Sequence, residues 1–461
     1  MSPASVVHVA LLPSAGMGHL TPFLRLAALL VRHHCHVTLI TPQPTVSKAE
    51  QHLLTRFQSS FPDVNQVQFH VVPPDEDVPS AADPFFLQFA AIRRSSHLLS
   101  PILASLSPPL SAFVYDMTLI SPVLPIANTL GVPYYILFTS SATMFSFYSY
   151  FPSLPAPQSF PDVVEIPGVL AIPKSSIPPP LMIPNSIFGN LFKEDSPKLT
   201  KLHGVFINTF EGLEAVSLEA LNCGKVVKEL PPVYPVGPFV PCEFEKVDQK
   251  GAPLTWLDDQ PDGSVVYVCF GSRTALGRDQ IRELGDGLVR SGCRFLWVVK
   301  DKKVDKEDEE GLDGLLGEEL VERIKEKGLV VKEWVDQSEI LGHKAVRGFV
   351  SHCGWNSVIE AAWCGVPILG WPQIGDQKIN AEVVSKSGWG VWKKDWGWEG
   401  ERVVKGEEIG EAVKEMMNNE SLKIRAVQVK EDARKAISVG GGCEIALQNL
   451  REEWKKIVKN I

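Results

Sequence analysis

The sequence predicts two α/β domains, each a doubly wound parallel sheet with helices on both faces, that face each other across a cleft. Short apolar segments rich in Val, Ile, Leu and Phe alternate with longer amphipathic segments in both halves of the chain. Strands that are apolar along their whole length are typical of parallel sheets buried on both faces. The chain has 461 residues, 44% of them hydrophobic, which is enough for two domains with sizeable cores.

Nine segments are predicted as strands. In the first half they are "VVHVALLP" (6–13), "HVTLITP" (36–42), "SAFVYDM" (111–117) and "PYYILFT" (133–139). In the second half they are "SVVYVCFGS" (264–272), "RFLWVVK" (294–300), "GLVVKEW" (328–334), "VRGFVSH" (346–352) and "VPILGWP" (366–372). The segments between them leave room for the helices that connect parallel strands.

Charge density divides the chain near residue 240. Residues 1–240 carry 12 Lys and Arg and 15 Asp and Glu, whereas the rest of the chain carries 33 and 39. The change follows a proline-rich stretch, "ELPPVYPVGPFVP" (229–241), which has no charge after Glu229. Such stretches are common between domains, so this one is predicted as the linker. The predicted domains are therefore 1–240 and 241–440.

Composition limits the classes of partner. The net charge of −9 gives no chain-wide positive field for nucleic acid or anionic lipid. No run of about 18 apolar residues is present, and the first apolar run lacks a preceding basic segment, so neither a membrane span nor a signal peptide is expected. The eight cysteines never form a C-x-x-C pair, which favours reduced thiols and a cytoplasmic protein.

A strand-to-helix turn in the second half has a composition suited to anion binding. The segment "GFVSHCGWNSVIEAAWCGVP" (348–367) is predicted to be a buried strand, a turn and a helix that ends at Gly365. In parallel sheets, ligands bind at the carboxyl ends of strands, where helix N-termini present N–H groups. Gly354 lets the backbone approach a phosphate, and Asn356 and Ser357 add donors. The alternative is an N-capped helix beside a buried histidine.

Residues on either side of this turn suit the other parts of a nucleotide sugar. Trp334 follows a predicted strand and offers a flat face to a base, and Gln337 offers hydrogen bonds. The candidate anion-binding turn, residues 352–357, is called the phosphate turn below. Glu360 lies one helical turn beyond it, where a carboxylate can accept from ribose hydroxyls. Asp376 and Gln377 are an adjacent acid and amide that can grip vicinal hydroxyls of a sugar.

This order of motifs closely resembles the nucleotide-sugar signature box of plant family-1 UDP-glycosyltransferases. The box runs from W-x-x-Q (334–337) through H-C-G-W-N-S (352–357) to D-Q (376–377), and the resemblance extends to the N-terminal motif and the strand "VVYVCFGS". It implies a GT-B fold of two Rossmann-like domains, with the acceptor site in the N-terminal half and the donor site in the C-terminal half. It also implies a monomer whose C-terminal helix, in 441–461, crosses back to the first domain.

The resemblance assigns roles to the residues of the box. Trp334 stacks on uracil, and Gln337 and Glu360 hold the ribose. His352, Asn356 and Ser357, helped by Ser272, hold the diphosphate, while Asp376 and Gln377 grip a sugar that is usually glucose. The other positions assigned to the donor are Gly18, Thr139, Arg273, Val335 and Trp355. For Thr139, a strand-end hydroxyl bonded to the backbone is the alternative.

The segment "PSAGMGHLTPF" (13–23) carries the candidate catalytic base. Gly16 and Gly18 suggest a dinucleotide fingerprint, but Thr21 stands where G-x-G-x-x-G requires its third glycine. An imidazole with an ordinary pKa of about 6.5 can take a proton from a phenol, which suits His19 at a strand end. Asp116 ends another predicted strand and is the natural orienting partner. The resemblance likewise assigns His19 as the base and Asp116 as its partner; a structural histidine is the alternative.

The expected reaction is an inverting glycosyl transfer that uses UDP-glucose as a substrate and needs no cofactor. His19 deprotonates the acceptor while the turn at 352–357 stabilises the charge that grows on the departing diphosphate, an electrostatic task that needs no metal. No cluster of His, Asp and Glu has the spacing of metal ligands.

Two further features resemble plant C-glycosyltransferases that act on 2-hydroxyflavanones, phloretin and related acyl-phloroglucinols. They are Asp83-Pro84-Phe85, with Asp83 and Phe85 as acceptor contacts, and Arg273 in "FGSRTAL". The alternative for Asp83 and Pro84 is ordinary helix initiation. Arg273 can equally bind a phosphate or pair with an acid. O-glucosylation of a phenol is the main competing function, and a non-catalytic UDP-sugar-binding protein and an NAD-dependent oxidoreductase are competitors from other classes.

Overall fold

A computed structural model describes residues 6–73, 84–246, 251–300, 311–333 and 335–458. Contacts divide the chain into two compact units. Unit 1 contains Met1–Ser175, Pro179–Glu245 and Lys435–Ile461, and unit 2 contains Ser176–Pro178 and Lys246–Arg434. The end of the chain thus belongs to the same unit as its beginning.

Unit 1 contains a seven-stranded sheet in which all paired strands are parallel, in the order β3-β2-β1-β4-β5-β8-β9. Its strands are β1 (His8–Leu12), β2 (His36–Gln43), β3 (Asn65–His70), β4 (Ala112–Asp116), β5 (Tyr134–Phe138), β8 (Gly204–Ile207) and β9 (Val233–Pro235). An antiparallel pair, β6 (Val163–Val164) and β7 (Ile172–Pro173), lies outside this sheet.

The α-helices of unit 1 connect these strands. They are α1 (Met17–Arg32), α2 (Lys48–Ser60), α3 (Pro84–Ser95), α4 (Leu99–Ala104), α5 (Ile120–Ala127), α6 (Ala142–Tyr150), α7 (Pro179–Met182), α8 (Ile187–Asp195) and α9 (Glu211–Asn222), with α19 (Gly442–Val458) at the end of the chain. Helix α19 packs Leu450 and Trp454 into the core of unit 1, where the Trp454 indole N–H donates to the Tyr135 hydroxyl at 3.1 Å.

Unit 2 contains a six-stranded parallel sheet in the order β12-β11-β10-β13-β14-β15. Its strands are β10 (Val265–Cys269), β11 (Arg294–Val298), β12 (Gly328–Val331), β13 (Val346–Ser351), β14 (Ile368–Gly370) and β15 (Gly390–Trp392). Its helices are α10 (Ala252–Asp258), α11 (Arg278–Ser291), α12 (Leu312–Leu316), α13 (Glu318–Lys325), α14 (Gln337–Gly342), α15 (Trp355–Cys364), α16 (Gln377–Lys386), α17 (Gly406–Asn418) and α18 (Glu420–Ile437), the last of which ends in unit 1.

The prediction of two doubly wound parallel sheets is confirmed in each unit taken by itself. All nine predicted segments contain a strand, and the central strands β1, β4 and β5 are buried at every residue. Apolar side chains on both faces of these strands leave water because helices cover the sheet on both sides. Among the described residues, no helix is long and apolar enough to cross a membrane.

The proline-rich stretch 229–241 contains β9, which pairs with β8 at the edge of the sheet of unit 1. Val236 and Phe239 of the same stretch are buried in the core of that unit, and the division between the units falls after Glu245. Pro235 is tolerated in β9 because β9 is an edge strand, and the N–H groups on one side of an edge strand have no partner strand.

His8 is a fully buried histidine in β1. One ring nitrogen lies 2.8 Å from the Thr38 hydroxyl and the other 2.5 Å from the Pro108 carbonyl oxygen. Burial lowers the pKa of His8 to about 4, although the hydrogen bond to Pro108 acts in the opposite direction. The ring is therefore neutral in the folded protein at neutral pH.

We expect the free energy of unfolding to fall as the pH is lowered from about 6.5 to about 4. In this window the unfolded chain binds a proton at His8 that the folded chain does not, and the difference in pKa corresponds to at most about 3 kcal/mol. Urea unfolding at several pH values tests this. His8→Gln should be less stable at pH 7.5 and show a flatter dependence on pH. A slope equal to that of the parent protein would contradict the assignment.

Candidate active site

His19 lies in the first turn of α1, just beyond the carboxyl end of β1. The turn requires glycine at position 16, which has φ of +92°, a region that L-residues rarely adopt. A Cβ atom at Gly16 would also lie 2.9 Å from the Phe85 ring. Strand, turn and helix therefore present the His19 side chain at the carboxyl edge of the sheet, where it is 20% exposed.

The Asp116 carboxylate orients the His19 ring. Oδ2 of Asp116 lies 2.8 Å from Nδ1 of His19, and Asp116 is 0% exposed. An imidazole that donates from Nδ1 to a carboxylate carries its lone pair on Nε2, and the carboxylate stabilises the positive charge that follows proton uptake. The two residues predicted as base and partner are thus brought together, 97 positions apart in the chain.

Thr118 holds the other carboxylate oxygen of Asp116. Its backbone N–H donates to Oδ1 at 2.9 Å and its hydroxyl donates to the same atom at 2.6 Å. These bonds leave Oδ2 directed at His19. The sequence analysis missed Thr118, although an Asp followed two residues later by Thr at the end of a strand is a local signal for such a turn.

Three other predicted residues lie on unit 1. The Thr139 hydroxyl, just after β5, is 3.4 Å from Nδ1 of His19. The Phe85 ring is buried, with its centroid 6.3 Å from that of His19. Gly18 precedes His19 on α1, and a Cβ atom there would meet nothing within 4 Å. Asp83, predicted as an acceptor contact, lies outside the described residues.

In unit 2, Gln337 connects two of the predicted donor contacts. Its amide NH₂ donates to the Ser357 hydroxyl at 2.9 Å and to the Glu360 carboxylate at 2.7 Å. Ser357 and Glu360 are buried on α15, and Gln337 begins α14 after the carboxyl end of β12. Val335 is half-buried, and Trp334 lies outside the described residues.

His352 follows β13 and lies between two glycines. A Cβ atom on Gly271, where φ is +78°, would lie 2.6 Å from Nε2 of the ring, and one on Gly354 would lie closer still. Burial lowers the pKa of His352 to about 4, against the opposing effect of a hydrogen bond to the Cys269 backbone. His352 is therefore neutral at neutral pH, so the ring carries no charge.

Helix α15 begins at Trp355, three residues after this histidine. Its N-cap residue is Gly354, which has no side chain with which to cap the helix, and helix N-termini of this kind bind phosphate. Trp355 is buried and Asn356 is half-buried in the first turn. Ser272 and Arg273 are half-buried just after β10, the strand next to β13 in the sheet.

Asp376 and Gln377 are held by two separate sets of hydrogen bonds. The Gln377 side-chain oxygen accepts from the backbone N–H groups of Gln373 at 2.8 Å and of Ile374 at 3.0 Å. Asn380 donates to Asp376 at 2.9 Å and to the Cys353 carbonyl at 3.2 Å, so it connects the predicted sugar contact with the phosphate turn. The sequence analysis missed Asn380, although its i+4 spacing from Asp376 is a local signal.

Comparison with known proteins identifies the family. A family profile described as "UDP-glucoronosyl and UDP-glucosyl transferase" matches residues 248–431. UDP-glycosyltransferase 708G2 of Citrus unshiu is 56% identical over 458 residues, which are 97% of this chain and 96% of that protein. UDP-glycosyltransferase CGT of Oryza sativa subsp. indica is 48% identical over 94% of this chain and 93% of its own. The chain belongs to the plant family-1 UDP-glycosyltransferases.

The solved structures confirm the GT-B fold expected of a UDP-glycosyltransferase. A crystal structure of LpCGTa in complex with UDP matches with a TM-score of 0.86 at 46% identity, covering 97% of this chain and 99% of that one. The recognition from the signature box is therefore confirmed. Among the described residues of this UDP-glycosyltransferase, no group of three His, Cys, Asp or Glu side chains is arranged to hold a metal ion.

Gly354→Ala should raise the KM of this UDP-glycosyltransferase for the UDP-sugar about tenfold or more. Alanine is compatible with the φ of −59° at this position, but its Cβ would displace the His352 ring. Gly342→Ala is the matched control in the same unit, because a Cβ there meets nothing within 4 Å. Steady-state kinetics and the melting temperature of both variants test this. An unchanged donor KM in Gly354→Ala would show that the ring position does not matter for the donor.

Proposed function

We propose that this chain is an inverting, UDP-glucose-dependent C-glucosyltransferase of flavonoid-type phenols, such as 2-hydroxyflavanones, phloretin and acyl-phloroglucinols. The observation that carries the proposal is the 2.8 Å contact between His19 and the buried carboxylate of Asp116. A histidine oriented in this way at a strand end is equipped to take a proton from a phenol. The family supplies the reaction class, and the choice of phenol and of the attacking atom is ours.

The donor proposal rests on the signature box. Gln337, Ser357 and Glu360 are linked by hydrogen bonds, which suits joint recognition of ribose and diphosphate. The matching family profile names UDP-glucosyl transfer, and the related LpCGTa is described in complex with UDP. Glucose is proposed as the sugar because the final residue of the box is a glutamine, Gln377, which in this family usually accompanies a UDP-glucose donor.

In the proposed reaction, Nε2 of His19 takes the proton of the phenol while Asp116 stabilises the resulting imidazolium. The phenolate shares its charge with the ring carbons ortho and para to it. One of these carbons forms a bond to the anomeric carbon as the bond from that carbon to the UDP oxygen breaks, and the electron pair leaves with the diphosphate. The ring carbon then gives up its hydrogen as a proton to water, and the electron pair of that C–H bond restores the aromatic ring. Attack from the face opposite the departing UDP inverts an α-linked donor to a β-glucoside.

The phosphate turn is proposed to stabilise the departing diphosphate without a change of protonation. His352 is neutral because of its lowered pKa, so it contributes a hydrogen bond, and the N–H groups at the start of α15 contribute their dipoles. Stabilisation of this kind, from groups held in place before the reaction, is commonly the largest contribution to catalysis.

Carbon attack is supported by two of the relatives, which carry the designation CGT, the abbreviation of C-glycosyltransferase. O-glucosylation is the second candidate, because the same base and the same phenolate serve both reactions and only the orientation of the acceptor ring differs. We also propose a cytosolic location, since all eight cysteines are free thiols in the structure.

Incubation of the purified protein with UDP-glucose and phloretin should yield an acid-stable glucoside. Its mass spectrum should show losses of sugar fragments by cross-ring cleavage, as a carbon–carbon link requires. An acid-labile product that loses the whole hexose would instead make the protein an O-glucosyltransferase. Binding of UDP with no product from any phenolic acceptor would favour a non-catalytic UDP-sugar-binding protein.

His19→Ala should lower kcat/KM for the phenol by about 10²–10⁴-fold, the usual contribution of a general base. Asp116→Asn should also lower it and should move the acid limb of the pH profile to lower pH, because an amide stabilises the imidazolium less than a carboxylate does. Binding of UDP, measured by calorimetry, serves as the control and should be unchanged. Full activity of His19→Ala would overturn the assignment of the base.

A further inference from the structure

Arg93 on α3 and Asp195 at the end of α8 form an ion pair within unit 1. Nη1 of Arg93 lies 3.0 Å from Oδ2 of Asp195, and the two side chains are 18% and 0% exposed. Burial raises the pKa of Asp195, and the nearby Arg93 charge and the Ser121 hydrogen bond oppose that rise. A buried pair of this kind is costly to form and costly to break, so its contacts are informative.

Both members of the pair also hold the turn that follows β4. Nη1 of Arg93 donates to the Thr118 carbonyl oxygen. Oδ1 of Asp195 accepts from the Ser121 backbone N–H at 3.1 Å and from the Ser121 hydroxyl. The segment from 118 to 121 is therefore fixed at its first residue by a guanidinium and at its last by a carboxylate.

This turn is the segment that orients Asp116. Thr118 donates its backbone N–H and its hydroxyl to Oδ1 of Asp116, and Oδ2 of Asp116 contacts His19. A shift of the Thr118 backbone would therefore move the Asp116 carboxylate and change its contact with the imidazole. The pair is thus connected to His19 by three successive hydrogen-bonded steps.

We propose that Arg93 and Asp195 are positioning residues for the catalytic pair, which act through Thr118 and touch neither substrate. This inference rests on the proposed roles of His19 and Asp116. The pair holds the turn in the position in which Thr118 donates to Asp116 and Asp116 contacts His19. Arg93 also anchors α3, the helix that carries the Phe85 ring next to His19.

Arg93→Lys and Asp195→Asn should each lower kcat about 10–100-fold, as is usual when a residue that orients a reacting group is disturbed. The KM for UDP-glucose should change less than about twofold, because the residues predicted to bind the donor lie mainly in unit 2. The acid limb of the pH profile should move to lower pH, as in Asp116→Asn, because the imidazolium loses part of its stabilisation.

Thr118→Val removes only the hydroxyl contact to Asp116 and should show the same combination of effects. If Arg93 acts through Thr118, the loss of kcat in the double variant Arg93→Lys/Thr118→Val should be smaller than the product of the two single losses, because both changes disturb the same support of Asp116. Ser121→Ala is the mild variant of the series. It removes one hydrogen bond to Asp195 and should show a smaller change of the same kind. This variant keeps the proposal testable if Arg93→Lys and Asp195→Asn fail to fold.

Arg25→Lys is the matched control for loss of a buried ion pair. Arg25 lies on α1 in the same unit and donates to Glu245 at 2.9 and 2.6 Å, and its side chain is 2% exposed. The Arg25→Lys variant should have a lower melting temperature than the parent protein, and the acid limb of its pH profile should stay in place. This separates positioning from stability alone.

The proposal is overturned if Arg93→Lys, Asp195→Asn and Ser121→Ala lower only the melting temperature, as Arg25→Lys does. It is also overturned if the effects of Arg93→Lys and Thr118→Val on kcat multiply. Asp116→Asn is measured alongside. If it is fully active, the proposed mechanism fails; if it is impaired while the Arg93 and Asp195 variants are not, only the positioning role fails.

Discussion

Burial of parallel sheets on both faces confines polar chemistry to the ends of the strands, and the group of candidate residues in each unit follows from this constraint. In unit 1, His19, Asp116 and Thr139 come at or just after the ends of β1, β4 and β5, which are neighbours in the sheet. Their side chains meet because the carboxyl ends of neighbouring parallel strands lie at one edge. Strand order thus brings together residues that are about 100 positions apart in the chain.

In unit 2 the same rule gathers the predicted donor contacts. Ser272, His352 and Asp376 follow β10, β13 and β14, again neighbours in the sheet. The helices that begin after these strands direct their N-termini at this edge, so backbone dipoles and side chains act on the same ligand groups.

The candidate histidine of unit 1 and that of unit 2 differ in what surrounds them. His19 contacts the buried carboxylate of Asp116 at 2.8 Å, an arrangement that suits its proposed role as a base. His352 lies against two glycines, and burial lowers its pKa to about 4, which suits its proposed role as a neutral hydrogen-bonding group beside a diphosphate. Two buried acids of unit 1 hold backbone segments that follow the strand ends. Glu214 accepts from the Ala142 and Thr143 N–H groups at 2.9 Å each, and so fixes the start of α6 beyond Thr139. Asp195 fixes the turn beyond Asp116 in a similar way.

The sequence by itself determined nine of the strands, including the central strands of both sheets, together with the fold class, the signature box and His19 as the candidate base. These depend on apolar runs and on residues within a few positions of each other. Only the tertiary structure decided that β9 lies in the predicted linker, that Asn380 joins Asp376 to the Cys353 carbonyl, and that Arg93 and Asp195 hold the Thr118 turn. Arg93 and Asp195 are 102 positions apart, and no local pattern encodes their contact. Such pairs form because a buried charge must find a partner, and which partner lies within reach is set by the packing of helices on the sheet.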